Sequence, residues 1–125
     1  MKRATLILVI LPLVVSLSGC IAAAVAAGAT GVYYIKGAAE KTYPYDVEKV
    51  YNATLAALAD ADIQAYQKSA DATVAKIEAT LADGKRLIID VETAATGMSK
   101  VRIRIGTFGD KDRSQYIFSK IDKRL

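Results

Sequence analysis

Apolar and polar positions alternate along three segments of the chain, residues 74–81, 86–92 and 100–105. In the last of these, β-branched residues alternate with Lys100, Arg102 and Arg104. Alternation with a period of two is typical of strands that bury one face and leave the other in water. The chain therefore contains at least three strands of an antiparallel sheet.

The register of these strands follows from the turn between the first two. Ala82-Asp83-Gly84 fits a three-residue hairpin loop with a left-handed glycine, so 81 pairs with 85, 79 with 87 and 77 with 89. If 91 pairs with 101, then 89 meets 103 and 87 meets 105, and apolar positions face one another throughout. The same register brings charges together on the other face: Lys76 with Asp90, Asp90 with Arg102, and Glu92 with Lys100. Since a one-residue slip destroys both patterns, we predict a three-stranded meander.

Helical spacing appears in two further segments. Asp46 is a predicted N-cap, Asp60 to Asp62 end the first helix, and its apolar face is Val47, Val50, Tyr51, Thr54, Leu55 and Leu58. Gly109 and Asp110 begin the second, whose inner face is Ser114, Ile117, Phe118, Ile121 and Leu125. With a short strand at 32–35, the elements predict a two-layer α+β domain. We expect an antiparallel sheet of about four to five strands with two helices packed on one face.

The amino-terminal segment has the pattern of an export signal. Lys2 and Arg3 precede an uncharged apolar run, and Leu17-Ser18-Gly19-Cys20 resembles the bacterial lipobox. The resemblance implies that Cys20 carries diacylglycerol, that the leader is cleaved before it, and that the new amino terminus is acylated. Ile21 in place of Asp implies the outer membrane, facing the periplasm, in a Gram-negative host. The competing interpretations are an uncleaved membrane helix and an ordinary buried thiol. Because the chain has a single cysteine, no intramolecular disulfide is available.

These features divide the chain into three predicted parts. Residues 1–19 are a lipoprotein signal peptide, 20–31 an Ala/Gly-rich tether, and 32–125 a single periplasmic domain. The alternative for 20–31 is a helix with a small-residue face that packs against another helix.

Charge and composition narrow the function classes. The formal charge is +4 and becomes +2 once Lys2 and Arg3 leave with the leader, which is too weak to indicate nucleic-acid binding. The chain has no histidine, and no catalytic serine motif or phosphate loop occurs in it. Asp110 and Asp112 fit helix capping better than calcium binding. We therefore expect no enzyme activity, no metal, and no cofactor beyond the covalent diacylglycerol and N-acyl lipid at Cys20.

Three surface features are candidates for function. The first is the charged strand face, which either docks a partner or is simply solvated: Lys76, Asp90, Glu92, Lys100, Arg102 and Arg104. The second is a tyrosine group in which Tyr33, Tyr43 and Tyr45 either bind a ligand or pack against the core. The third is Phe108, between Gly106 and Gly109, which we interpret as a core plug beneath the turn rather than an exposed anchor.

Several segments together resemble a known family. The lipobox is followed by an Ala/Gly run, "VYYIKG", "TYPYDVEKVYNATLAAL" and "RIRIGTFGDKDRSQYIFSKI". This order is similar to that of a family of short bacterial lipoproteins carrying a domain of unknown function. The resemblance implies the α+β fold, lipid anchoring in the membrane and a periplasmic location. We expect a non-catalytic module that binds an envelope protein partner, or alternatively a small-molecule or cell-wall glycan-binding module.

Overall fold

The computed structural model describes residues 31–125, which contain one antiparallel sheet and two helices. The strands are β1 (Tyr33–Ile35), β2 (Ala38–Tyr43), β3 (Ala65–Ala70), β4 (Val74–Thr80), β5 (Arg86–Ala95) and β6 (Met98–Ile105). The helices are α1 (Val47–Asp60) and α2 (Lys111–Asp122). The predicted leader, Cys20 and the tether up to residue 30 lie outside the described residues.

The six strands lie in the order β1-β2-β6-β5-β4-β3, and every neighbouring pair is antiparallel. A β1–β2 hairpin forms one edge. Helix α1 then carries the chain to the opposite edge, from which β3 to β6 return as a meander and place β6 beside β2. The α+β class is therefore confirmed.

The predicted register of the meander is confirmed. Ala79 pairs with Leu87 and Ile77 with Ile89, and the hairpin loop is closed by Gly84 at a φ of 85°. On the other side of β5, Leu87, Ile89 and Val91 pair with Ile105, Ile103 and Val101. Each of these six apolar residues is at most 1% exposed, so the alternation in the sequence marks the buried face.

Both helices begin where their caps predict and pack on the same face of the sheet. The carboxylate of Asp46 accepts a hydrogen bond from the Lys49 backbone N–H at 2.9 Å, and Asp110 accepts one from Arg113 at 3.0 Å. The helices contact each other, α1 lies over β3 to β6, and α2 lies over β2 and β6. Their buried residues join the sheet in one core: Val47, Val50, Ala57, Leu58, Ile117, Phe118 and Ile121.

The expected number of strands was too low, because the sheet has six. The sequence of β2, AAEKTY, lacks the alternation of apolar and polar residues that predicts a strand, because Lys41 occupies a position on the inner face of the sheet. That lysine is held by Asp122 of α2, whose carboxylate lies 2.8 Å from Nζ. Strand β3 lacks alternation because it is an edge strand whose last five residues are all exposed. Strands β2 and β3 therefore form because they pair with neighbouring strands, and not because their own sequences alternate.

The interpretation of Phe108 as a core plug was wrong, because its side chain is 91% exposed. Backbone atoms fill the space beneath this turn. Gly109 lies directly against the Gly37 carbonyl, and the Tyr34 hydroxyl donates to the Phe108 carbonyl at 3.3 Å. The core below already contains the fully buried ring of Phe118.

The Gly37–Gly109 contact predicts a difference between two glycine substitutions. Gly84→Ala places Cβ in open space at a φ of 85° and is expected to cost about 1–2 kcal/mol from backbone strain alone. Gly109→Ala has the same strain, and its Cβ also overlaps the Gly37 carbonyl, which adds about 1–3 kcal/mol. Urea unfolding of both variants measures the difference. Equal losses of unfolding free energy would show that the two turns are not packed as described.

Besides the Lys41–Asp122 ion pair, an ion pair joins α2 to the hairpin between β4 and β5. The Arg113 guanidinium lies 2.6 Å from Asp83 Oδ2 and 2.9 Å from Asp110 Oδ2. This hydrogen bond from Arg113 lowers the pKa of Asp83 to about 2. The pKa of Asp110 is also lowered, chiefly by the Arg113 backbone N–H.

These lowered pKa values predict loss of stability in acid. A carboxylate with a depressed folded-state pKa stabilises the fold above its unfolded pKa, and the contribution disappears as pH falls through the folded pKa. For Asp83 this window lies between about pH 4 and pH 2. Urea midpoints measured across the window should fall less steeply in Asp83→Asn and in Arg113→Gln than in the wild type. A slope unchanged in both variants would contradict the link.

Candidate binding surface

The outer face of the sheet, defined as the face opposite the helices, carries an ordered array of charges. Glu40, Arg102, Asp90 and Lys76 lie directly opposite one another on β2, β6, β5 and β4, so that negative and positive charges alternate across the sheet. A parallel row contains Ala38, Arg104, Ile88 and Glu78. The predicted charged face is therefore assembled by the confirmed register.

Ion pairs link some of these residues. Lys100 Nζ lies 2.9 Å from Glu92 Oε1, and this contact raises the pKa of Lys100. Arg102 Nε lies 3.6 Å from Glu40 Oε1, and Arg86 pairs with the mostly buried Glu78. Exposed cross-strand pairs of this kind each contribute about 0.2–1 kcal/mol, so they hold register more than they supply stability.

Three charged residues of the outer face take no part in these ion pairs. Within residues 31–125, Lys76, Asp90 and Arg104 form no ion pair. The guanidinium of Arg104 donates to the Lys36 carbonyl at 3.2 Å, which fixes its position and leaves its charge uncompensated. Cations that are positioned but not neutralised are available to an incoming anion.

The unpaired cations border two adjoining depressions, which together we name the basic groove. One has a volume of about 300 Å³ and is lined by Lys76, Ile88, Asp90, Arg102 and Arg104. The other, of about 550 Å³, shares Ile88 and Arg104 with it and adds Lys85, Arg86 and Phe108. Five cations and the carboxylate of Asp90 therefore line the groove beside the apolar Ile88 and Phe108. Two of the cations, Arg86 and Arg102, are paired with Glu78 and Glu40. This composition suits a negatively charged chain that also has apolar contacts.

The residues predicted for partner binding divide between the groove and its surroundings. Arg102, Arg104 and Asp90 line it, whereas Lys100 and Glu92 form their own pair one row away. Ile88, Lys85 and Arg86 were not predicted as site residues. The signal for Ile88 was present in the sequence, because an isoleucine occupies a position of β5 where the alternation calls for a polar residue.

The three tyrosines proposed for ligand binding are not brought together. Tyr33 is 61% exposed and pairs with Glu40, on the outer side of the sheet. Tyr43 is 5% exposed on the inner side, where its hydroxyl donates to Asp122 at 2.8 Å, and burial raises its pKa. Tyr45 packs against the core, and Lys49 Nζ lies over its ring, 3.9 Å from the ring centroid. Opposite faces of one sheet separate Tyr33 from the other two.

The described residues contain neither a candidate metal site nor a membrane-spanning helix. Residues 31–125 hold no group of three or more acidic, cysteine or histidine side chains positioned to bind a metal ion. Neither helix in this range is long and apolar enough to cross a membrane.

The fold and this surface define a small two-layer α+β domain with a charged sheet face as its candidate functional surface. The chain belongs to the family described as Protein of unknown function (DUF3568), which matches residues 3–124. Comparison with curated proteins gives no match. Membership confirms the resemblance to a family with a domain of unknown function, while its lipoprotein character stays a prediction.

Proposed function

We propose that this protein is a non-catalytic, lipid-anchored envelope protein that uses the basic groove to bind an acidic segment of a protein partner. The observation that carries the proposal is the excess of cations around the groove, including Arg104, whose charge is uncompensated. Guanidinium groups bind carboxylates through paired hydrogen bonds. Strand β6 presents two of them on the outer face, that of Arg104 and that of Arg102, which also contacts Glu40.

The shape of the groove favours a macromolecular partner over a small ligand. Sites for small molecules bury most of the ligand in a concave, mainly apolar cavity. The basic groove is instead partly open to solvent, is lined by five cations and runs across the sheet from Lys76 past Ile88 to Phe108. An open groove that combines charged residues with apolar ones resembles the mixed polar and apolar composition of a protein interface.

The proposed anchor places this surface at the envelope. Acylation of Cys20 with diacylglycerol and an N-acyl chain supplies more than one lipid chain, which holds a protein on a bilayer far more firmly than a single chain does. The lipobox-like Leu17-Ser18-Gly19-Cys20 supports acylation, and Ile21 supports the periplasmic face of the outer membrane in a Gram-negative host. Such a protein would hold its partner close to the membrane.

Charge reversal tests the groove. Arg102→Glu combined with Arg104→Glu should reduce recovery of the crosslinked partner at least tenfold, because charge-assisted hydrogen bonds contribute about 1.5–3 kcal/mol each. The matched control is Lys68→Glu with Lys123→Glu, which changes the net charge equally at exposed sites away from the groove. Arg102→Gln with Arg104→Gln separates binding from any cost of adding carboxylates beside Asp90. Equal recovery in all of these variants would contradict the proposal.

The anchor has an independent test. Cys20→Ala is expected to abolish incorporation of labelled palmitate and to move the protein out of the membrane fraction, because the acylated sulfur is gone. Cys20→Ser serves as the near-isosteric second variant. Full palmitate incorporation in either variant would show that Cys20 is not the lipid attachment site.

A further inference from the structure

Exposed apolar side chains are concentrated at one edge of the domain. Seven large hydrophobic residues are exposed in residues 31–125, and four of them lie together: Tyr33, Tyr34, Ile35 and Phe108. The first three form the edge strand β1, in which Tyr33 and Ile35 face the outer side of the sheet and Tyr34 the inner side, where its hydroxyl contacts the Phe108 carbonyl. Single exposed hydrophobics are ordinary, but several at one edge of a domain indicate a contact surface. We name these four residues the apolar edge.

The apolar edge is held rigidly despite its exposure. Gly37 in the β1–β2 turn and Gly109 in the β6–α2 turn have positive φ and are packed directly against each other. Arg104 reaches from β6 to the Lys36 carbonyl at 3.2 Å. The two turns are therefore tied together through backbone atoms, and the side chain of Phe108 is 91% exposed.

Two cations lie beside the apolar edge, whereas the carboxylate of Glu40, opposite Tyr33, is paired with Arg102. Lys36 lies in the turn that ends β1, and within residues 31–125 it forms no ion pair. Arg104, also without an ion pair, lies against the same turn. Aromatic rings with cations at their border have the composition of surfaces that rest at the interface of an anionic bilayer, where rings sit at headgroup level and cations meet phosphates.

We propose that the apolar edge lies on an anionic phospholipid bilayer, with Phe108 and Ile35 at the level of the headgroups and Lys36 beside the phosphates. This inference rests on the proposed function, because the anchor supplies the proximity. Strand β1 begins thirteen residues after Cys20 in the sequence, so even a fully extended chain places it within about 45 Å of the lipid. Contact at this edge fixes the orientation of the domain and covers the Phe108 end of the basic groove, which leaves the part lined by Lys76, Ile88, Asp90 and Arg102 for the partner.

Depth measurements on the full-length protein test the orientation. The acylated protein is reconstituted in vesicles of phosphatidylethanolamine and phosphatidylglycerol that carry a nitroxide on the upper acyl chain. A fluorophore is attached through Phe108→Cys or, as the matched control at the opposite edge of the sheet, through Tyr66→Cys, since Tyr66 is 58% exposed. Quenching at position 108 should exceed that at 66 at least twofold. Replacing phosphatidylglycerol by phosphatidylcholine, or introducing Lys36→Glu, should reduce it.

Three results would overturn the inference. The first is equal quenching at positions 108 and 66. The second is quenching at 108 that is unaffected by both the neutral lipid and Lys36→Glu. The third is quenching that depends on protein density and not on the nitroxide, which would make the apolar edge a contact between two copies. The mass of residue 20 in the same sample reports acylation separately, so failure of the anchor is distinguishable from failure of the orientation.

Discussion

The pairing register of β4, β5 and β6 is the constraint on which the rest of this structure depends. It buries one apolar set beneath the helices and, by the same pairing, places Glu40, Arg102, Asp90 and Lys76 in one row on the outer face. A slip by one residue would move the core into water and the charges against α1 and α2. Because one register determines both faces, a slip of the strands would disrupt the charged surface and the core together.

The sequence predicted this part of the fold because each strand carries its own alternation and each helix its own cap, Asp46 and Asp110. The edges were less predictable. Strand β2 accommodates Lys41 only because Asp122 of a distant helix receives it, and the exposed β3 has no buried face to generate a pattern. Phe108 was misplaced for a similar reason: the close approach of Gly37 and Gly109, from turns far apart in the chain, occupies the space beneath it.

The candidate site was likewise only partly predictable from the sequence. Arg102 and Arg104 were identifiable because strand alternation places them on the solvated face. The groove was not identifiable, because it depends on which cations form ion pairs and on how Phe108 and Lys85 come beside β5 and β6, which are properties of three-dimensional packing. Tyr33 and Tyr43 are close in sequence but lie on opposite sides of the sheet. They belong to two different strands, and closeness in sequence does not determine which face of the sheet a residue of each strand occupies.

The two proposals give one small domain two tasks: the basic groove contacts a partner, and the apolar edge contacts the bilayer. Photo-crosslinking in intact cells tests whether a partner occupies the groove. A photoreactive amino acid is placed at Ile88 in the groove and, for comparison, at Gln115 on the exposed face of α2. The photoreactive residue at position 88 is expected to give a discrete crosslinked protein, and the one at position 115 none. The same products from both positions, or none from 88, would contradict it.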